Sequence, residues 1–250
     1  MQIPLFNIEI MSHKISTHTE YKYFSNADLD RINENYMMPV FEKILNEYSF
    51  QKVLDYGCGN GIFGITFKQK DNYLCGVDAS SYALEDALKR GYDKTEQVTD
   101  FCSDTIPFED KSFDFILCKD ILEHLLDPVQ VMRECQRLLT KNGMLLVHVP
   151  NHFPLISRLR FLFTANLDTQ NYFPDADERN FPHIRFYTYL GLHRFLKNQG
   201  FQVVRSFSDH FPRFIPGFSR LPLGKLILKK LAQQNPNNFS EGFTLLVKKI

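Results

Sequence analysis

The stretch that decides the fold is Val53-Leu54-Asp55-Tyr56-Gly57-Cys58-Gly59-Asn60-Gly61. An apolar run typical of a strand leads into three glycines at alternating positions, and residues 61–68 then favour a helix. Glycine lets the backbone turn sharply and lets a ligand lie directly against it. The spacing G-x-G-x-G differs from that of dinucleotide-binding and phosphate-binding loops. The stretch therefore predicts a ligand-binding turn that does not hold a pyrophosphate; the alternative is a tight turn without a ligand.

A repeating strand–helix pattern continues beyond this stretch. Strands are predicted at 52–56, 73–77, in a weaker run leading to Asp100, and at 113–118, 144–149, 201–207 and 243–248. Helices are predicted at 26–46, 80–91, 128–139 and 188–199, and a turn is predicted at 141–143. Ser80 and the Asp127-Pro128 pair are typical helix N-terminal residues. Strands that alternate with helices imply a parallel sheet with right-handed crossovers.

Pro150 interrupts this pattern and divides the chain into three parts. Residues 1–50 form an N-terminal arm and helix, 51–150 the cofactor-binding core, and 151–250 the C-terminal half of the same domain. Two stretches in that half, 151–187 and 208–240, are irregular and rich in proline and aromatic residues. Long irregular segments inside a compact domain are usually functional. We therefore expect two lid-like insertions on the substrate side.

The composition argues against several classes of protein. The 250 residues carry 29 Lys and Arg against 29 Asp and Glu, so the net charge is zero, whereas duplex nucleic-acid binders need a cationic surface. The five cysteines are odd in number and include no CxxC pair, which argues against a disulfide framework or a zinc knuckle. This pattern favours the reducing cytoplasm as the compartment. No apolar run is long enough to span a membrane and no secretory signal is evident. We expect a cytoplasmic protein, and nothing in the sequence indicates its oligomeric state.

Two acidic residues follow the next predicted strands. Asp78 ends the second strand, where a carboxylate in a doubly wound sheet meets a ribose diol; the alternative is a helix cap. Asp100 follows the third strand, where it could accept a hydrogen bond from an adenine amine while Phe101 packs beside the ring; the alternative is a surface loop. Together with the glycine turn, these positions suit one nucleoside.

Three segments carry a resemblance to a known family. VLDYGCGNG (53–61), GVD (76–78) and IPFEDKSFDFILCKDILEHLLDP (106–128) resemble the class I S-adenosylmethionine-dependent methyltransferases. Later segments, NGMLLVHVPN, HIRFYT and GLHRFLKNQGFQVV, resemble small-molecule methyltransferases of the ubiquinone-biosynthesis and saccharide-modifying type. The resemblance implies an α/β fold with a Rossmann-like, doubly wound, seven-stranded, mostly parallel sheet whose last strand is antiparallel. It also implies S-adenosyl-L-methionine as cofactor and S-adenosyl-L-homocysteine as product.

The same resemblance implies roles for individual residues. The glycine loop would line the methionine and ribose of the cofactor, Asp78 would hold the ribose hydroxyls, and the backbone of 118–120 would contact the methionine end. The cofactor-binding residues expected in this way are Asp55, Gly57, Cys58, Gly59, Gly61, Asp78, Ala79, Asp100, Phe101, Cys118 and Lys119. Cys102 stands where the family often has an acid, so Asp104 remains an alternative to Asp100 at the adenine.

Methyl transfer is an in-line displacement, and a hydroxyl acceptor also needs a base. The candidate bases are four histidines near the expected catalytic end of the sheet: His124, His148, His152 and His183. His148 lies in an apolar strand and is better explained as a core residue. We favour His152 or His183; the alternative for both is an ordinary loop histidine. No metal-ligating set is evident, because the acidic cluster at 175–178 is typical of a solvated loop.

The late insertions combine basic and apolar residues. Residues 201–230 hold six Lys and Arg against Asp209 alone, with leucines between them. One interpretation is a helical lid with a solvated basic face. The other is an interfacial surface for a lipid-bearing or anionic substrate, with peripheral membrane contact through 208–231. We expect a methyltransferase for a small-molecule or lipid-linked acceptor. The alternatives are a non-catalytic cofactor-binding protein of the same fold and an RNA methyltransferase, which the neutral charge disfavours.

Overall fold

A seven-stranded sheet runs through the computed structural model, which describes residues 37–164, 183–208, 210 and 221–250. The strands are β1 (Lys52–Tyr56), β2 (Tyr73–Asp78), β3 (Lys94–Gln97), β4 (Phe113–Lys119), β5 (Leu139–Pro150), β6 (Phe201–Ser206) and β7 (Gly242–Lys249). The helices are α1 (Met38–Glu47), α2 (Ser81–Arg90), α3 (Pro128–Leu138), α4 (Leu155–Thr164), α5 (Tyr189–Asn198), α6 (Pro222–Gln234) and α7 (Pro236–Phe239). Two 3₁₀ helices lie at Gly64–Phe67 and Leu122–His124.

The strand order is β3-β2-β1-β4-β5-β7-β6. β1 pairs in parallel with both β2 and β4, whereas β7 pairs antiparallel with β5 on one side and β6 on the other. The predicted fold class, a seven-stranded and mostly parallel sheet with an antiparallel last strand, is thereby confirmed. The chain leaves β1 toward β2 and later returns to β4 on its other side. Open sheets of this kind bind ligands at such a point, beyond the carboxyl ends of the strands.

The central strands of the sheet are buried on both faces, as expected for parallel strands covered by helices. Successive residues of β4 point to opposite faces: Phe115 and Leu117 pack in one apolar cluster, and Ile116 and Cys118 pack in the other. This double burial makes the centre of the sheet a rigid support for the loops at its carboxyl edge. Among the described residues, no helix has both the length and the apolar character that crossing a membrane requires.

The local signals at helix ends proved accurate. Ser80 Oγ accepts a hydrogen bond from the Ala83 amide at the start of α2, and the Asp127 side chain accepts one from the Val129 amide at the start of α3. Of the helix predicted at 26–46, the structure describes only the part that belongs to α1; the remainder lies outside the described residues. The described parts of the two predicted insertions contain α4, α6 and α7, and their lid role stays a prediction.

Two local predictions were wrong. Residues 61–68 form only the short 3₁₀ helix Gly64–Phe67, because Gly61 has a positive φ of 78° and Lys68 is already extended. The turn predicted at 141–143 belongs to β5. It forms a bulge there, since Phe113 pairs with Leu139 but Phe115 pairs with Met144.

Candidate active site

The glycine loop begins where β1 ends and is fastened to β2. The amides of Gly57 and Cys58 both donate to the Val77 carbonyl, at 2.8 and 2.9 Å. Gly57, Gly59 and Gly61 have φ angles of 78°, 51° and 78°, a region in which side chains are strained. The loop conformation therefore explains why glycine stands at all three positions.

The protein's own packing also requires two of these glycines. A Cβ on Gly57 would lie 2.7 Å from Ile121 Cδ1, and a Cβ on Gly61 would lie 2.6 Å from the Tyr92 ring. Gly57 and Gly61 thus admit the side chains of Ile121 and Tyr92 beneath the loop. The predicted contact between this loop and a cofactor is made by the backbone of the loop.

Asp78, the last residue of β2, holds this loop in place. Its Oδ2 accepts a hydrogen bond from the Gly59 amide at 2.8 Å, and its Oδ1 accepts one from the Ser80 amide at 3.0 Å. The carboxyl is buried, which raises its pKa. Because Ser80 is the helix cap, the alternative explanation of Asp78 as the cap is wrong. Its predicted contact with a ribose stays a prediction, and each carboxylate oxygen has a second lone pair for such a donor.

The turn after β3 contains both candidate adenine ligands. Asp100 accepts hydrogen bonds from the Cys102 amide at 2.8 Å and the Ser103 hydroxyl at 2.8 Å, while Asp104 accepts one from the Asp100 amide at 2.9 Å. Phe101 is buried in the core, with its ring 5.3 Å from that of Tyr56. The two aspartates brace one turn, and the choice between them at the adenine stays open. Ala79 lies on the neighbouring turn, where its carbonyl accepts from the Gln97 side chain at 2.8 Å.

Asp55 lies beneath the glycine loop with a partner that sequence reasoning missed. The Tyr92 hydroxyl donates to Asp55 Oδ2 at 2.6 Å and lies 3.3 Å from the Gly61 carbonyl oxygen. Burial raises the pKa of Asp55 to about 7, and the hydrogen bond from Tyr92 opposes this rise. The pair ties β1 to the far side of the loop. Asp55 is 37 positions from Tyr92 in the chain, so no local pattern links them.

The end of β4 lies beside the start of the loop, since Cys118 pairs with Tyr56 in the sheet. The Cys118 side chain is buried. The Lys119 ammonium lies over the Phe63 ring, 4.0 Å from its centroid, and forms an ion pair with Asp120. Asp120 has a positive φ of 53°, which is uncommon for a residue with a side chain.

The His148 side chain lies between Asp120 and Thr244 and contacts both. Its Nδ1 lies 2.8 Å from Thr244 Oγ1 and its Nε2 lies 3.3 Å from Asp120 Oδ1. His148 is 1% exposed, and burial lowers its pKa to about 4. The interpretation of His148 as a core residue therefore agrees with the structure.

The two favoured bases lie together. His152 follows β5 and His183 precedes α5, and His152 Nε2 lies 2.5 Å from His183 Nδ1. The amides of Ile184 and Arg185 donate to the Glu123 carbonyl, at 2.9 and 3.1 Å, and hold this segment against the end of β4. Burial lowers the pKa of His152 to about 4 and that of His183 to about 3.

Glu123 and His124 complete this cluster. The ring centroids of His124 and His183 are 4.6 Å apart, and the Glu123 side chain is fully buried. Its carboxylate oxygens have no hydrogen-bond partner within the part of the chain that the structure describes. Burial raises the pKa of Glu123 well above its ordinary value. Glu123, His124 and His183 place ligand atoms within 4.8 Å of one another, so they could hold a metal ion. Sequence reasoning missed this set because His183 is distant in the chain.

The glycine loop after β1, the carboxylate that ends β2 and the antiparallel β7 together define a class I S-adenosylmethionine-dependent methyltransferase. The chain matches the family model of the methyltransferase domain over residues 18–206, well over half its length, and it belongs to this family. The cofactor is accordingly S-adenosylmethionine.

The curated relatives share a name. A ubiquinone biosynthesis O-methyltransferase of Haemophilus ducreyi is 32% identical over 109 residues, which is 40% of this chain and 46% of that protein. Another protein of this name, from Nitrosomonas europaea, is 25% identical over 158 residues, which is 62% of this chain and 64% of that protein. The alignments thus span about half to two thirds of the relatives' length.

Solved structures show the same fold at low identity. A methyltransferase of Thermotoga maritima, described as a possible histamine N-methyltransferase, has a TM-score of 0.55 at 18% identity, covering 89% of this chain and 98% of that one. An S-adenosylmethionine-dependent methyltransferase of Mesorhizobium loti has a TM-score of 0.58 at 15% identity, covering 87% of this chain and all of that one. These likenesses establish the architecture alone.

Proposed function

We propose that the protein transfers a methyl group from S-adenosylmethionine to a hydroxyl of a small or lipid-linked acceptor, with the pair His152–His183 accepting the hydroxyl proton. The observation that carries the proposal is the 2.5 Å contact between the two imidazoles beside the end of β4. The O-methyltransferase name of the curated relatives supports a hydroxyl acceptor.

The residues expected to hold the cofactor lie at or beyond the carboxyl ends of β1, β2, β3 and β4. When bound, S-adenosylmethionine supplies an activated methyl group on a sulfonium. The histidine pair is neutral at pH 7, because both pKa values lie far below 7. One ring therefore donates to the other and keeps a lone pair for the acceptor proton. The Asp120 carboxylate favours the protonated form of both rings, so it stabilises the charge that develops during the transfer.

The test uses a panel of catechols, phenols with and without an isoprenoid tail, and primary amines, with S-adenosylhomocysteine formation as the readout. We expect turnover with hydroxyl acceptors. His152→Ala and His183→Ala should lower kcat by about a hundredfold or more, the usual contribution of a general base. Both variants should bind S-adenosylhomocysteine as the wild type does. His193→Ala, on α5 outside the pair, is the matched control. Turnover with amines alone, or an undiminished kcat in both variants, would overturn the proposal.

The set Glu123, His124 and His183 favours a second form of this reaction. A divalent cation held there would polarise the acceptor hydroxyl, and His183 would then be a ligand rather than a base. In that form, EDTA abolishes turnover, Mg²⁺ or Mn²⁺ restores it, and Glu123→Gln removes the response to metal. Turnover unaffected by EDTA favours the histidine pair acting alone.

We further propose peripheral contact with anionic lipid surfaces for the same protein. In α6, exposed Leu223, Leu226 and Ile227 alternate with lysines, and α4 exposes a row of apolar side chains. Both helices contact α7, so they lie on the same part of the molecule. Basic and apolar residues in this combination are typical of helices that lie in a membrane interface.

A further inference from the structure

Lys119 is the last residue of β4 and lies next to the glycine loop that follows β1. Its neighbour Cys118 pairs with Tyr56, the residue before Gly57, so Lys119 stands at the same edge of the sheet as the start of the loop. Its ammonium packs over Phe63, two positions after Gly61. The side chain thus connects the beginning and the end of the loop.

This lysine is unusually enclosed. Its side chain is only 10% exposed, whereas lysine ammonium groups normally remain in water. Asp120 is its ion-pair partner, and the ammonium also lowers the pKa values of Asp55 and Glu123. Lys119 therefore interacts electrostatically with three acidic groups.

An ammonium has three donors, and among the described residues Lys119 forms one ion pair, with Asp120, so the group has capacity for another acceptor. The adjacent ammonium and carboxylate of Lys119 and Asp120 match the two opposite charges of an α-amino acid. The amino-acid end of the cofactor is such a zwitterion, and the end of β4 is where the resemblance places it. The expected contact of the 118–120 backbone with the methionine end does not require a charged side chain at position 119. The enclosed Lys119 ammonium therefore indicates a separate role for the side chain.

We propose that the Lys119 side chain binds the carboxylate of the amino-acid end of S-adenosylmethionine, held in place by Asp120 and Phe63. Lys119 thereby discriminates cofactor molecules that carry the amino acid from adenosine thioethers that lack it. The inference rests on the cofactor of the proposed function and is independent of the acceptor.

The test compares two probes by calorimetry: S-adenosylhomocysteine and 5′-methylthioadenosine, which has the thioether and adenosine but no amino acid. Lys119→Met keeps an unbranched side chain that is one atom shorter and removes its charge. We expect the Kd for S-adenosylhomocysteine to rise about tenfold, as for a lost charge-assisted hydrogen bond, and the Kd for methylthioadenosine to stay within about twofold. Lys119→Arg should retain most of the preference, and Lys89→Met on the exposed surface of α2 should behave as the wild type.

A measurement on the wild type covers the case in which Lys119→Met does not fold. Decarboxylated S-adenosylhomocysteine keeps the amine and lacks only the carboxylate, so it should bind about tenfold more weakly than the parent compound. Equal affinity for these two compounds, or an equal loss for both probes in Lys119→Met, would overturn the role of Lys119. A wild type that binds none of the compounds would instead contradict the cofactor assignment.

Discussion

The Asp78 carboxylate is engaged with the amides of Gly59 and Ser80, so it orders the glycine loop as well as standing where a ribose is expected. These two tasks use different lone pairs of the same oxygens. A change at Asp78 therefore affects both the loop and the ligand.

Asp78→Ala should weaken S-adenosylhomocysteine binding by about 1.5–3 kcal/mol, the value of hydrogen bonds to a charged group. Asp78→Asn, which keeps one acceptor oxygen, should lose less. Calorimetry checks both, with the exposed Asp86→Ala on α2 as the control. An unchanged Kd in folded Asp78→Ala would show that the ribose is held elsewhere.

Tyr92→Phe removes the hydroxyl that donates to Asp55 and leaves the ring packed against Gly61. Asp55 has a pKa of about 7 in the folded protein and 3.8 as its ordinary value, so the folded state binds the extra proton between these pH values and stability falls as pH rises through this window. Without Tyr92 the pKa rises further, and the fall continues to higher pH. The loss in Tyr92→Phe should be about 1–3 kcal/mol above pH 8 and smaller at pH 5.

Urea unfolding at several pH values measures this difference. Tyr82→Phe, on the exposed face of α2, is the control for loss of a hydroxyl. A loss that is the same at pH 5 and pH 9 would mean that Tyr92 does not act through the charge of Asp55.

Sequence reasoning located residues whose role depends on neighbours in the chain. The glycine loop, Asp78 and Ser80 lie within one strand–loop–helix unit, where spacing alone relates them. The pairs Asp55–Tyr92 and His152–His183 are separated by 37 and 31 positions. Only the order of the strands in the sheet brings these residues together. The Asp55–Tyr92 hydrogen bond under the loop and the buried Glu123 cluster therefore could not be predicted from the sequence.

At the scale of elements, Asn151 connects the end of β5 to the C-terminal helices. Its Nδ2 donates to the carbonyls of Asn237 at 3.0 Å and Ser240 at 2.8 Å, and its amide donates to the Glu241 carbonyl at 2.8 Å. One side chain thus holds α7, and with it α6, beside His152. The caps of α2 and α3 were predictable because each lies within its own helix, whereas this connection spans 89 positions.

Asn151→Ala should lower the free energy of unfolding by about 1–3 kcal/mol, because buried carbonyls lose their donor. The S-adenosylhomocysteine Kd should stay within about twofold, since the glycine loop lies on other strands. Urea unfolding and calorimetry check the two expectations, with the exposed Asn198→Ala as the control. A large loss of affinity with unchanged stability would contradict a purely structural role.

At the scale of the whole molecule, charge and apolar surface are unevenly distributed. The chain is neutral overall, yet α6 carries Lys225, Lys229 and Lys230 beside exposed leucines. On α4, Leu162 and Phe163 are 72% and 79% exposed. The sequence alone indicated segments that combine basic and apolar residues. Only the fold shows that the two helices in these segments, α4 and α6, both contact α7.

The triple variant Lys225→Gln, Lys229→Gln, Lys230→Gln should reduce sedimentation with phosphatidylglycerol vesicles. Each lysine near an anionic surface contributes about 1 kcal/mol, so the affinity should fall by about a hundredfold. Salt should release the wild type as it screens these charges. The control changes Lys70, Lys89 and Lys141 to Gln. Absence of the wild type from the pellet at low salt would contradict membrane contact and favour a lid with a solvated face.

The position of β7 between β5 and β6 has a consequence for the order of events during translation. β6 is synthesised before β7, yet β7 is the only strand of the described residues that pairs with it. The strands β1 to β5 can pair as they emerge from the ribosome, whereas β6 must wait for Gly242–Lys249. A nascent chain stalled with β7 still inside the exit tunnel should therefore resist protease across β1 to β5 and be cleaved around Phe201–Ser206, and release of β7 should protect that segment.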